Sequence, residues 1–323
     1  MRVLITGASG FAGGYLAREC VRDGDEVVGV SRSGQIPDGC GDGRALDLLD
    51  GEGVQAIVRD VAPDVVYHLA ALSSVGRSWD EPSRTLSDNV AMAVNLLEAL
   101  RFEAPTSRVV WVSSCEVYGA PDSLPVAEDA PLKPANPYAV SKTTGELLAR
   151  VYIDAYGLDL VLARPFNHAG PGQRSMFILS SLARQAAEAV LSGNDSFEIL
   201  TGNPDTCRDF TDVRDVVRAY RLLATGDEPA VYNVSSGRSI SAADQVRLLA
   251  ELVAPIQVRH VVDPDRVRAH EVMDLRGDHD RLTAATGWRP EIPLRETMSD
   301  TIEWWKQQLS AAAPTDPTQR VRH

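Results

Sequence analysis

No stretch of this sequence is both apolar and long enough to span a bilayer, and no charged-then-apolar leader precedes the first strand-like run, Met1-Arg2-Val3-Leu4-Ile5. A cytoplasmic protein is expected. Positive charge is scarce as well: 32 Lys+Arg face 45 Asp+Glu, a formal net charge of -13, which argues against a nucleic-acid footprint or attraction to an anionic membrane. An anionic ligand would have to be met by locally clustered arginines. The four cysteines, Cys20, Cys40, Cys115 and Cys207, have neither paired nor metal-like spacing, so neither a disulfide framework nor a metal is expected. Internal repeats and obvious domain linkers are missing too. What is present is ordinary: 323 residues, 44% hydrophobic and 24% charged, suffice for one large or two moderate domains with a full core.

The first half alternates strand-like and helix-like segments. Residues 2–6 read as a short apolar strand, and Gly7-Ala8-Ser9-Gly10-Phe11-Ala12-Gly13 then opens a helix running to about Asp23. Glycines there permit a tight turn and let the backbone approach a pyrophosphate at the positive helix N-terminus. The spacing is Gly-x-x-Gly-x-x-Gly, and small residues at a helix start can serve packing alone; the place between a strand and a helix points to a dinucleotide. A second strand, 26–30, ends at Ser31-Arg32-Ser33. An acidic residue there would hold a ribose 2′-hydroxyl, whereas Arg32 can accept a 2′-phosphate, which leans towards NADP over NAD. Arg32 could equally lie on the adenine face or point to solvent.

Ala45-Leu46-Asp47-Leu48 reads as a third strand, with Asp47 either accepting from the adenine amino group or standing as a surface carboxylate. A helix over about 53–62 leads to a strand at 64–69 and then to Ala70-Ala71-Leu72-Ser73-Ser74, where small residues allow close cofactor approach and the serines could face a substrate. His68 lies inside the apolar strand and reads as a core histidine. A long apolar-faced helix covers 89–100. This alternation specifies an α/β fold, a Rossmann-type doubly wound parallel sheet.

The run Val109-Val110-Trp111-Val112 reads as another buried strand, so Ser114-Cys115-Glu116-Val117-Tyr118-Gly119 falls at the carboxyl edge of the sheet, where ligands of open α/β sheets bind. Tyr138 and Lys142 follow at i, i+4 on one helical face. An ammonium beside a phenol is expected to lower a pKa that is ~10 in a free side chain, making a base that can take a proton from a sugar hydroxyl as hydride leaves the same carbon. A lone Tyr-x-x-x-Lys is a weak signal; its context strengthens it.

Gly7, Gly10 and Gly13, then His68-Leu69-Ala70-Ala71, then Ser114 before Val117-Tyr118-Gly119, and finally Tyr138 and Lys142 together resemble the extended short-chain dehydrogenase/reductase family acting on nucleotide-diphosphate sugars, over residues 1 to about 306. The resemblance implies that Gly7, Gly10, Phe11, Ala12, Gly13, Ser31, Arg32, Asp47, Leu48, Leu69, Ala70, Ala71, Tyr138, Lys142 and Pro165 surround an NAD or NADP cofactor. It places Ser73, Ser74, Asn167, Arg208, Arg268 and Glu271 on a GDP- or UDP-linked sugar substrate. Asn167 stands in the shaped loop Pro165-Phe166-Asn167-His168-Ala169-Gly170-Pro171-Gly172-Gln173, Arg208 in an Arg-Asp-Phe motif, and Arg268 in a segment where Ala269 replaces the family's usual proline. Two arginines on two phosphates would make charge-assisted, bidentate contacts. The implied domains are 1–166 with 205–238 for the dinucleotide, 167–204 with 239–309 as a smaller mixed α/β domain for the nucleotide sugar, and a disordered tail over 310–323. By the same likeness, helices near 82–101 and 137–157 pair with their copies in a homodimer.

The reaction turns on Ser114-Cys115-Glu116. Once a sugar C4 hydroxyl is oxidised, the C5 proton becomes acidic, so Glu116 could remove it while a Cys115 thiol, pKa ~8.5 when free, protonates a departing C6 hydroxyl. Sugar 4,6-dehydratases carry a glutamate at this place, and the triplet resembles that of the tunicamycin-pathway 5,6-dehydratase. The loops at 164–173 and 202–215 instead resemble GDP-4-keto-6-deoxymannose reductase, which also has a glutamate in its triplet. A dehydratase is the first expectation, a 4-ketoreductase the second, and a 4-epimerase or non-catalytic sugar-nucleotide binder the third.

Overall fold

The computed structural model describes residues 1–226, 230–267 and 272–312. From the amino terminus the chain lays down β1 (Arg2–Thr6), α1 (Phe11–Arg22), β2 (Glu26–Ser31), β3 (Asp42–Ala45), α2 (Gly51–Val61), β4 (Val65–His68), α3 (Val75–Asp80), α4 (Pro82–Glu103), β5 (Arg108–Val112), α5 (Pro137–Tyr156) and β6 (Leu160–Pro165). It continues through β7 (Asn167–Ala169), α6 (Ile178–Ser192), β8 (Ser196–Thr201), β9 (Cys207–Asp212), α7 (Val213–Thr225) and β10 (Val231–Val234). The last elements are β11 (Ser239–Ser241), α8 (Ala242–Leu252), β12 (Gln257–Val262), β13 (Asp274–Leu275), α9 (Asp280–Thr286) and α10 (Leu294–Ala312).

Seven strands form one sheet in the order β10-β6-β5-β4-β1-β2-β3, all pairs parallel. Parallel strands need crossovers, and each crossover helix covers a face, so the strands are apolar on both sides. Alternate residues accordingly feed two different cores. Val3 and Ile5, Val110 and Val112, and Val161 and Ala163 pack with α1 and α7. Leu4, Val109, Trp111, Leu160 and Leu162 pack with α2, α4 and α5 on the other face. This two-residue alternation is the pleat read out as burial.

The expected third strand at 45–48 lies instead at Asp42–Ala45, paired with 28–31. Asp42-Gly43-Arg44-Ala45 sits at the sheet edge, mostly exposed, and needs no hydrophobic pattern. The alternation rule had no purchase there.

The chain separates into two compact units: 1–168 with 209–239 and 274–291, and 169–208 with 240–273 and the residues from 292 on. The expected boundaries put 274–291 in the other domain. The structure corrects this, because Leu282 and Trp288 are fully buried in the core that α1 and α7 share, and the Trp288 indole donates to the Asp215 carbonyl at 3.0 Å. In the second unit β8 and β12 pair in parallel, and α6 packs on α10. The helix α10 runs through Ala312, where a disordered tail was expected from 310; residues 313–323 lie outside the described residues.

Candidate active site

The cradle after β1 is shaped by backbone. Gly7 has φ +75°, and a Cβ there would meet the Ala70 nitrogen at 2.9 Å; a Cβ on Gly13 would collide with the Gly7 carbonyl oxygen. Gly10 caps α1 with no side-chain hydrogen bond, so the first helical N–H groups are left to an incoming anion. Phe11 and Ala12 begin the helix, half-buried. A dinucleotide pyrophosphate fits this arrangement. Thr6 supports the wall of the cradle, its hydroxyl accepting from the Ala70 nitrogen at 3.3 Å and bonding His68 Nδ1 at 2.9 Å. Burial, reinforced by the Lys142 charge, lowers His68 to about 3, so it is a neutral core histidine as its sequence context implied.

At the far end of the cradle Ser31 is buried and Arg32 exposed; Leu48 is buried and Asp47 exposed, its carboxylate accepting from the Leu49 nitrogen at 3.1 Å. Leu69, Ala70 and Ala71 lie half-buried after β4. Ser73 is exposed, but the Ser74 hydroxyl caps α3 by accepting from the Arg77 nitrogen at 3.2 Å. Asn89 on α4 pins this loop, accepting from Leu72 N at 2.8 Å while its amide donates to Ser141 Oγ at 2.9 Å.

After β5 the chain turns sharply. Ser114 caps a short 3₁₀ helix, Cys115–Tyr118, by accepting from the Glu116 nitrogen at 3.2 Å. Gly119 closes the turn at φ +58°, where a Cβ would run into the Lys133 carbonyl oxygen. Asn136 then joins the turn to α5: its side-chain oxygen caps the helix at the Ala139 nitrogen, 2.8 Å, and its amide donates to Glu116 Oε2 at 2.8 Å. Ser114, Cys115, Tyr138 and Lys142 are buried, and Glu116 is half-buried. All five expected residues are thus brought together within the first unit.

One expectation is corrected. Burial raises the Tyr138 phenol; the Ser114 hydrogen bond opposes this, while the Glu116 and Cys115 charges add to it. Lys142 does not reverse the balance here, because its ammonium donates to the Val112 carbonyl at 2.8 Å and burial lowers it to about 8, with Glu146 opposing. Desolvation outweighs the neighbouring charge.

Pro165 is buried and Asn167 half-buried after β6, and the His168 ring stacks on Phe11 at 5.9 Å. Arg208 belongs to the second unit, where one guanidinium nitrogen donates to the Cys207 and Val272 carbonyls, both at 2.7 Å. Arg268 and Glu271 lie outside the described residues. Next to Arg208, Asp209 was missed. It is 1% exposed and accepts from Ser236 N and Oγ, Gly237 N and Gly277 N, a loop anchor whose pKa burial raises to about 6. Its signal was the motif itself, which drew attention to the arginine alone.

The family model for GDP-mannose 4,6 dehydratase matches residues 4–301. This chain belongs to that family. A GDP-6-deoxy-D-mannose reductase from Pseudomonas aeruginosa is 35% identical over 311 residues, covering 95% of this chain and 98% of the relative. Two solved structures each cover 95% of this chain at 34% identity and a TM-score of 0.82: RMD from Pseudomonas aeruginosa complexed with NADPH, all of which is covered, and a NAD-dependent NDP-hexosamine 5,6-dehydratase involved in tunicamycin biosynthesis, 98% covered. The family member described here is therefore an enzyme of the extended short-chain dehydrogenase/reductase fold, a group that uses a nicotinamide cofactor. None of the four cysteines is joined in a disulfide, and no described helix is long and apolar enough to cross a membrane.

Proposed function

We propose that this enzyme is an NAD(P)-dependent nucleotide-diphosphate-hexose dehydratase of the 4,6 or 5,6 type. The observation that carries the proposal is the Glu116 carboxylate, half-buried on the turn after β5, oriented by Asn136 and close enough to Tyr138 to act on its charge. Oxidation and reduction at C4 alone need no such group; removal of a C5 proton does. The first unit holds the cofactor, with Gly7, Gly10, Phe11, Ala12 and Gly13 on the pyrophosphate, Ser31, Arg32, Asp47 and Leu48 at the adenosine, and Leu69, Ala70, Ala71 and Pro165 towards the nicotinamide. Bound NAD(P)⁺ supplies a hydride acceptor. Tyr138, with Ser114 as hydrogen-bond partner and Lys142 behind it, takes the C4 hydroxyl proton. Glu116 then removes the C5 proton, and the Cys115 thiol protonates the departing C6 hydroxyl. The hydride taken from C4 goes back to the sugar together with a proton, at C6 and C5 in the 4,6 type or with the hydride at C4 in the 5,6 type, so that only water is lost overall. Ser73, Ser74, Asn167 and Arg208, with Arg268 and Glu271, bind the GDP- or UDP-linked sugar, the second unit being the sugar-nucleotide domain. Exposed Arg32 favours the 2′-phosphate of NADP.

The second reading is a 4-ketoreductase, favoured by the 35% identity to the Pseudomonas aeruginosa reductase. Mass spectrometry after incubation with GDP-mannose, UDP-N-acetylglucosamine and their 4-keto derivatives, with and without NAD(P)H, separates the readings. Loss of water without added reductant is expected. Gain of two hydrogens at stoichiometric cost of NAD(P)H would replace the dehydratase with the reductase.

The enzyme is further proposed to be a cytoplasmic homodimer. The helices α4 and α5 pack together, yet α5 leaves Val140, Leu147 and Val151 exposed along one face, Leu147 by 54% and Val151 by 57%. A second copy of the same helix pair would bury this stripe. A monomer in light scattering at micromolar concentration would exclude it.

A further inference from the structure

One guanidinium ties together the two segments that carry the candidate catalytic side chains. Arg164, near the end of β6, is 1% exposed, and Glu146, on α5 one turn beyond Lys142, is 0% exposed. Their contact is bidentate, Nε to Oε1 at 2.9 Å and Nη2 to Oε2 at 2.6 Å. The remaining nitrogen, Nη1, donates to the Tyr118 hydroxyl at 2.9 Å and to the Glu128 carbonyl at 3.0 Å. Tyr118 in turn donates to Asn233 Oδ1 on β10 at 2.7 Å. The turn bearing Ser114, Cys115 and Glu116 therefore ends on the same guanidinium against which α5 rests.

Packing alone does not call for this. A buried ion pair bears a large desolvation cost, and apolar residues of similar volume often hold two elements together as well or better. What an ion pair adds is a fixed, bidentate geometry and a charge at a chosen place. Tyr138, Lys142 and Glu146 stand at i, i+4 and i+8 along α5, so the Glu146 end of the pair lies one turn from the lysine. We propose that Arg164 and Glu146 are positioning residues, a buried pair that sets the spacing between the Ser114-Cys115-Glu116 turn and the Tyr138/Lys142 face and holds the ammonium of Lys142 in its charged form.

The groups facing that ammonium are few. His68 on β4 is neutral, the Val112 carbonyl on β5 accepts its hydrogen bond, Tyr138 lies one turn before it, and Glu146 lies one turn after it. Glu116 faces the tyrosine rather than the lysine. Glu146 is thus the carboxylate that offsets the burial of Lys142. Removing it also leaves the Arg164 charge unpaired nearby, and both changes push the lysine the same way.

The inference rests on the assignment of Tyr138 and Lys142 as the catalytic pair, and its test is separable from the reaction. The chain has three lysines, Lys133, Lys142 and Lys306, so protein labelled with ¹³Cε-lysine gives three resolvable titrations, the Lys142 resonance being assigned by its loss in Lys142→Met. Glu146→Gln should lower the Lys142 midpoint by about one pH unit or more, and Glu146→Asp should restore most of it. A midpoint within about 0.3 unit of the parent in Glu146→Gln would overturn the electrostatic role, whether or not any sugar nucleotide is turned over.

On the sugar nucleotide the parent converts, the alkaline limb of the activity profile should move down together with the Lys142 midpoint. Where Glu146→Gln fails to fold, the pair Arg164→Met with Glu146→Leu removes both buried charges at similar volume. That variant should keep cofactor affinity and KM within about threefold while kcat falls about 30-fold or more. A folded double variant with the parent kcat would overturn the positioning role.

Discussion

The glycine cradle after β1 and the candidate catalytic turn after β5 lie at the same carboxyl edge of one sheet, yet they are held by different means. In the cradle the constraint is steric and carried by backbone: Gly7 and Gly13 have no room for a side chain, backbone bonds from Gly7 to Val30 and from Leu69 to Thr6 hold the turn, and the Thr6 hydroxyl supports the wall. At the turn the constraint is a set of long-range polar ties, from Asn136 to Glu116, from Lys142 to Val112, and from Tyr118 to Arg164 and Asn233. A backbone cradle binds any dinucleotide pyrophosphate and is indifferent to the reaction. The turn sets Ser114, Cys115 and Glu116 beside Tyr138, the groups on which the proposed chemistry depends.

Substitutions can separate the two. Gly13→Val should have the largest effect, a loss of NAD(P) binding of more than ~100-fold by fluorescence titration, because the side chain meets the Gly7 carbonyl and closes the cradle. Retained binding would show that the cradle yields more readily than its backbone contacts imply. Tyr138→Phe should leave binding within a few-fold and lower kcat by ~10²–10⁴-fold, the usual range for a lost general base. Parallel losses of binding and turnover would mean that the two regions do not act independently.

Glu116→Gln should keep cofactor binding and the first hydride transfer but stop deuterium exchange at C5 in heavy water, while Cys115→Ala should let exchange continue and slow loss of the C6 hydroxyl by ~10²–10⁴-fold. Normal turnover by both variants would remove the dehydratase reading.

Asn136 offers a finer cut. Asn136→Ala removes a helix cap and the Glu116 partner together, and should lower stability by about 1–2 kcal/mol in denaturant titration. Asn136→Asp retains the cap but sets a carboxylate against Glu116, so activity should fall much more than stability. A stability loss as large as that of the alanine variant would mean that the cap was not preserved.

The smallest effect concerns pH. Lys142, with a pKa lowered to about 8 in the folded protein, loses its proton at lower pH than it would in an unfolded chain. Its burial therefore costs stability in full below about pH 8 and is relieved as pH rises towards the free-lysine value of ~10.4, since the unfolded state binds the extra proton in that window. Activity that needs the ammonium should fall over the same window. Compared with Lys142→Met, the parent should gain relative stability between about pH 8 and 10 while losing turnover; a flat difference would mean that Lys142 is not desolvated.

How much of this was legible in the sequence follows from the range of the forces. Strands that are nearly continuous buried apolar runs, 2–6, 26–31 and 108–112, were found, as were α4 and α5, because their patterns are local. The edge strand β3 escaped because one unpaired side needs no apolar pattern, and 274–291 was assigned to the wrong unit because only the buried Trp288 shows which core it joins.

At the site, the sequence by itself determined the residues with distinctive spacing: the three glycines, the 114–116 triplet, and the Tyr138/Lys142 pair. These motifs are short because each acts through its own turn of backbone. Tertiary structure decided the rest. Glu146, Arg164, Asn136 and Asp209 act across separations of 18 to 68 residues, through hydrogen bonds whose partners no local pattern can name. It also decided the sign of the tyrosine's pKa. Proximity to a lysine can be read from an i, i+4 spacing, but the desolvation that opposes it depends on everything packed around both groups.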